Sequence, residues 1–142
     1  MGSVNLDGIL VSPLLRICTK GGDVLHAMKQ QDAGYVGFGE AYFSLVDTGA
    51  VKAWKRHMRM TINLVVPVGQ VRFVFWKRDS NQFRTEEIGE DSYARITVPP
   101  GIWFGFQGLY KSQNLVLNLA NIPHDPSEVE RLKQTDVPYI WK

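Results

Sequence analysis

The run Trp54-Lys55-Arg56-His57-Met58-Arg59-Met60-Thr61-Ile62-Asn63-Leu64 decides how the rest of the chain is read. Side chains alternate across a β-strand. Taken as one strand, its odd positions are Lys55, His57, Arg59, Thr61 and Asn63, a polar and largely cationic face. Its even positions are Trp54, Arg56, Met58, Met60, Ile62 and Leu64, a mostly apolar face. Two arrangements satisfy this pattern. In one, the apolar face lies on the core and the cations face water. In the other, the polar face lines a pocket inside a barrel, while the apolar face is covered by a second sheet or a partner subunit. Alternation alone does not choose between them.

The flanking segments read mostly as short strands. Leu10–Cys18 is apolar and ends at Lys20-Gly21-Gly22. A short helical stretch is expected over 23–30, then a bent strand pair over 35–46, where glycines stand at 34, 37 and 39. Further strands are expected over 71–76, 93–98, 102–109 and 114–120. Pro67-Val68-Gly69, Asp79-Ser80-Asn81, Gly89-Glu90-Asp91 and Pro99-Pro100-Gly101 punctuate them. Short strands with regular turn signals predict a sandwich or barrel. Asp125-Pro126-Ser127-Glu128 carries an N-cap residue, a proline at the first helical position and a glutamate at the third, which predicts a short C-terminal helix. Val129 and Leu132 would pack it on the barrel, and the apolar tail Val137–Trp141 is expected to dock. One domain is expected over 1–142, with its core at about 6–122 and the helix and tail over 125–142. Met1–Val4 are set aside from the reading.

Composition narrows the class. The chain has 142 residues, 44% hydrophobic, 21% charged, with a formal net charge of +2, which argues against global disorder and against a nucleic-acid binder. The one cysteine, Cys18, excludes an internal disulfide and points to a reducing, cytoplasmic setting. In its apolar strand it is expected to be a buried, inert thiol. No apolar run reaches the ~18 residues of a membrane span, so no membrane partner is expected.

Three segments carry a resemblance. Gly49-Ala50-Val51-Lys52-Ala53-Trp54-Lys55-Arg56-His57 lies over the pattern Gly-Val-Leu-Arg-Gly-Leu-His-Tyr-Gln. Phe38-Gly39-Glu40-Ala41-Tyr42 lies over Phe-Val-Gln-Asp-Asn. Pro99-Pro100-Gly101-Ile102-Trp103-Phe104-Gly105-Phe106 lies over Pro-Pro-Gly-Phe-Ala-His-Gly-Phe. Together the segments resemble the cupin superfamily, and within it the epimerases of the dTDP-4-dehydrorhamnose 3,5-epimerase type. Lys52, Lys55 and His57 also fall on Arg-Gly-x-His-x-His, the motif of the sister dTDP-sugar 3,4-ketoisomerases. The resemblance implies an all-β double-stranded β-helix (a cupin jelly roll), a homodimer and a nucleotide-sugar substrate of the 4-keto-6-deoxy class used in polysaccharide synthesis. The alternatives are a 3,4-ketoisomerase-like enzyme and a non-catalytic cupin that binds a sugar or nucleotide sugar.

The departures from the family pattern define the candidate residues. The resemblance implies a His base and a Tyr acid, but Lys55 stands at the His, Asn118 near the Tyr, and Phe104 at a second His. His57, two residues along the same face, titrates in the right range to replace the base. A lysine ordinarily titrates near ~10.4, but burial and cationic neighbours would lower Lys55. Tyr42 or Tyr110 would supply the acid. Lys52 and Arg59 would hold phosphate or an enolate oxygen, and Trp54 and Trp103 would stack on base or sugar. Glu40 and Asn118 complete the expected binding set. The metal-ligand positions of metal-binding cupins read Lys55, His57, Thr61 and Phe104, so no metal and no other cofactor are expected. His26 and His124 are read as surface residues.

Overall fold

A computed structural model describes residues 5–142, so the four residues set aside above lie outside the described part. Twelve strands follow one another: β1 (Leu10–Pro13), β2 (Arg16–Ile17), β3 (Val24–Leu25), β4 (Glu40–Leu45), β5 (Val51–His57), β6 (Ile62–Val68), β7 (Gln70–Lys77), β8 (Gln82–Gly89), β9 (Ala94–Val98), β10 (Trp103–Gly108), β11 (Leu115–Ala120) and β12 (Val129–Arg131). Two five-stranded antiparallel sheets form, β1-β9-β6-β11-β4 and β12-β5-β10-β7-β8. The chain crosses between them at nearly every step from β4 to β11, the winding of a double-stranded β-helix. The main core lies between the sheets, where Ile62, Leu64, Val66, Phe73, Phe75, Ile96, Phe104 and Val116 are at most 1% exposed.

Several local expectations are corrected. The long strand over 54–64 is two strands. It stops at His57 and restarts at Ile62. The Met58 amide donates to the Glu128 carbonyl at 2.8 Å, and the Thr61 amide to Asn121 Oδ1 at 2.8 Å, so distant groups hold the break. The core-facing parity therefore changes from Lys55 and His57 to Ile62 and Leu64. Val24–Leu25 pairs with Arg16–Ile17 as a small hairpin in place of the expected helix over 23–30. Cys18, beside that hairpin, is exposed rather than buried.

The expected C-terminal helix is also replaced. Asp125 does cap a turn, accepting from the Ser127 amide at 3.0 Å, but the turn is one 3-10 turn, Pro126–Glu128. The next three residues pair with the free edge of β5, Val129 opposite His57 and Arg131 opposite Lys55. Edge pairing satisfies backbone groups that a helix would otherwise have to satisfy. The tail then docks as expected. Val137 is 3% exposed, and Tyr139 and Trp141 pack with Trp54, Trp76 and Trp103 in a second apolar cluster on the outer face of the β5 sheet. The apolar face of β5 is thus packed against the chain's own C-terminal segment.

Candidate active site

The inner face of β5 carries the site. A bulge shapes it: Lys55 pairs with Phe104 and Lys52 with Phe106, so two residues of β5 stand against one of β10. Lys52 and Lys55, three apart in sequence, consequently sit opposite residues of the same wall. Opposite them runs β4. It follows Gly39, whose added Cβ would lie 2.2 Å from the Ile122 backbone, so only glycine admits that approach. The approach brings Glu40 and Tyr42 to the mouth between the sheets.

His57 is 6% exposed and Glu128 3%. Glu128 Oε2 lies 2.6 Å from His57 Nδ1, while its Oε1 accepts the amides of Arg59 and Met60 at 3.1 and 2.9 Å. Burial pushes the Glu128 carboxyl up, but the His57 hydrogen bond and the two amides outweigh it and hold the group below its ordinary value. An ionised carboxylate only accepts, so Nδ1 carries the proton. His57 Nε2 is then a lone pair, and it is buried with no hydrogen-bond partner. Burial also lowers the His57 pKa against the pull of Glu128, with Lys55 and Arg131 lowering it further, so the ring is neutral at neutral pH. Phe104 flanks the imidazole, ring centroids 6.4 Å apart.

Two hollows open here. One, of about 470 Å³, is lined by Glu40, Tyr42, Lys55, His57, Met60, His124, Val129 and Arg131. The other, of about 330 Å³, is bordered by Ser44, Lys52, Phe104 and Phe106 and shares Lys55 and Arg131 with the first. Burial, then Arg131 and Lys52, bring Lys55 down to about 8. Lys52 donates to the Leu45 carbonyl at 2.9 Å. Among the described residues, Lys52, Lys55 and Arg131 have no carboxylate within ion-pair distance, whereas Arg16, Arg56, Arg59, Arg72, Arg84 and Arg95 each have one. Three neighbouring cations without an anion form a natural seat for phosphate.

Of the residues picked from sequence, His57, Lys55, Tyr42 and Glu40 meet in the first hollow, and Lys52 borders the second. Arg59 does not join them. It lies in the break after β5 and pairs with Asp125 at 2.9 Å in solvent. Trp54 also borders the second hollow, but its ring is buried against Trp141 at 5.5 Å in the outer cluster, where Trp103 lies beneath Arg56. Asn118 is buried on β11 and donates its amide to Ser44 Oγ at 3.1 Å, stitching β11 to β4 outside both hollows. Tyr110 donates to Asp91 at 2.7 Å, which holds its phenol up at about 12, also outside them. Sequence reasoning missed Glu128, read as a helix cap, and Arg131. It placed His124 on the surface; that residue is exposed but stands on the rim of the first hollow. Among the described residues no three His, Cys, Asp or Glu side chains gather as metal ligands would. No described helix is long and apolar enough to cross a membrane.

No protein-family model matches the chain. Its fold superposes on a dTDP sugar isomerase from Desulfovibrio desulfuricans G20 with a TM-score of 0.89 and 36% identity, over 95% of this chain and 91% of the other. A probable low-salt glycan biosynthesis epimerase, Agl13 of Haloferax volcanii, is 30% identical over 105 residues, 70% of this chain and 65% of that relative's length. The dTDP-4-dehydrorhamnose 3,5-epimerase of Sulfolobus tokodaii shares the fold, with a TM-score of 0.78, 20% identity and coverage of 96% and 84%. With a relative 36% identical and matched over 91% of its length, the chain belongs to the dTDP-sugar isomerases.

Proposed function

We propose that the protein is an epimerase or isomerase acting on a nucleotide-linked 4-keto-6-deoxy sugar in glycan biosynthesis. One observation carries this reading: the His57–Glu128 pair, which leaves an unprotonated, unpartnered Nε2 at a hollow bordered by uncompensated cations. A carbon acid beside a ketone needs a base of near-neutral pKa and a positive group for the enolate oxygen. His57 Nε2 takes the proton from the carbon beside the carbonyl, and Glu128 stabilises the imidazolium that forms. The electron pair of the broken C–H bond moves onto the carbonyl oxygen, beside the Lys55 ammonium. Tyr42, on the opposing sheet, returns a proton to the other face of the same carbon. Lys52 and Arg131 hold the diphosphate.

Homodimerisation remains part of the proposal on a different basis from the one first expected. Phe38, Phe43 and Leu45 are 62%, 65% and 59% exposed on and before β4, away from the tail-covered face. Burying such side chains against a second copy is favourable. A cytoplasmic location suits the exposed free thiol of Cys18.

The test is incubation with dTDP-4-keto-6-deoxyglucose in deuterium oxide. Deuterium is expected at a carbon beside the ketone, and it should disappear in His57→Asn. Movement of the carbonyl itself would select the 3,4-ketoisomerase, which the match of Lys52, Lys55 and His57 to that motif favours as the second reading. Thermal stabilisation by the ligand without exchange would leave a binding protein and overturn catalysis.

A further inference from the structure

We infer that the segment after β12, through Trp141 and Tyr139, acts as a strap that positions the carboxylate of Glu128 against His57. The strand that follows Glu128 is only three residues long, and the turn that precedes it is a single 3-10 turn. An isolated edge segment of that length has little stability of its own. Yet it delivers Glu128 behind His57 and Arg131 to the rim of both hollows.

What holds it lies on the other side of the sheet. Leu132 and Trp54 exchange two backbone hydrogen bonds, at 3.1 and 3.0 Å, extending the pairing by one step. Val137 is then buried, and Tyr139 and Trp141 close on the Trp54 ring with centroids 6.2 and 5.5 Å away and 4.8 Å from each other. Gln107 Nε2 donates to the Lys142 main-chain oxygen at 2.6 Å, tying that residue to β10. Trp54 is the immediate neighbour of Lys55 and shares a strand with His57. The cluster therefore grips β5 from behind and β12 through Leu132. The indole N–H groups of Trp54, Trp103 and Trp141 are buried without acceptors, so these side chains hold one another by ring packing and not through their N–H groups. A phenylalanine should replace Trp141 with little loss; an alanine should not.

The experiment compares Trp141→Ala, Trp141→Phe and Glu128→Gln in the full chain. The Nδ1–H proton of His57 is read by NMR, and the pH profile of kcat/KM is read with the keto-sugar substrate. The NMR reading stands whether or not the proposed substrate is right; only the kinetic arm rests on that reading. Wild type and Trp141→Phe should show a strongly downfield Nδ1–H signal. Trp141→Ala should lose it, as Glu128→Gln does, while keeping a cooperative thermal transition. Since the Glu128 hydrogen bond raises the His57 pKa, the acid limb should move to lower pH in Trp141→Ala, and kcat/KM should fall by about tenfold. A folded Trp141→Ala that keeps the wild-type signal and acid limb would overturn the strap. If Trp141→Ala does not fold, Tyr139→Leu carries the same comparison with the same two outcomes.

Discussion

The two faces of β5 make opposite use of burial. On the outer face, Trp54 is 1% exposed inside a cluster of rings sealed by the chain's own tail. On the inner face, His57 is nearly as buried, at 6%, but beside it stand a lone pair without a donor and three cations without a carboxylate. The outer face spends its contacts on cohesion. The inner face leaves its polar groups uncommitted, which costs stability and is sensible only where a ligand completes them. Exposure does not distinguish these faces, nor does the mere presence of unpartnered polar atoms; their chemistry does, with a basic ring nitrogen and unpaired cations inside and indole N–H groups outside.

The largest effect on chemistry should come from the inner face. His57→Asn should lower the proton-exchange rate by about a thousandfold, the scale of a lost general base, while leaving the thermal midpoint near wild type. The largest effect on stability should come from the outer face. Trp54→Ala should destabilise the fold by about 3–5 kcal/mol, as removal of a buried tryptophan does, measurable by urea unfolding. Comparable exchange losses in folded variants of both faces would erase the contrast.

Lys55→Met should separate function from stability within one residue. The folded-state pKa, at about 8, lies below the ordinary 10.5 because burial penalises the charged form. Between those values the unfolded chain binds more protons, so stability rises as pH increases through that window. At neutral pH the buried charge is a liability. Lys55→Met should therefore raise the thermal midpoint while cutting activity by about a hundredfold. Wild-type activity should fall as pH rises through about 8 and the ammonium is lost. The smallest effect belongs to Arg59→Ala. Its side chain is 59% exposed and that of its partner Asp125 41%, so less than about 1 kcal/mol of stability should be lost and exchange should be nearly unchanged.

The turn chemistry was legible in the sequence. Asp79-Ser80-Asn81 sits at the β7–β8 connection, and Pro99-Pro100-Gly101 separates β9 from β10. The inward placement of Lys55 and His57 followed from alternation joined to the family resemblance. Alternation failed at Arg59 because no glycine or proline marks the break over 58–61; amide bonds to Glu128 and Asn121, 70 and 60 positions away, make it. Carried back to Lys52, alternation would set that residue on the face opposite Lys55; a bulge shifts the parity by one residue. Glu128 was hidden for a related reason. A glutamate three residues after a capping aspartate has a sufficient local explanation, and only the edge pairing of Val129–Arg131 turns it inward. Such long-range contacts leave no periodic trace.

The contrast between the faces can be read directly by titrating the protein with a dTDP-linked 4-keto sugar while recording the His57 ring nitrogens and the four tryptophan indole signals. The expected result is an unprotonated Nε2 at neutral pH whose resonance shifts on ligand addition, with the Trp54 and Trp103 indoles unmoved. Shifts confined to those indoles, with His57 silent, would place the ligand on the outer face and contradict the assignment of the site.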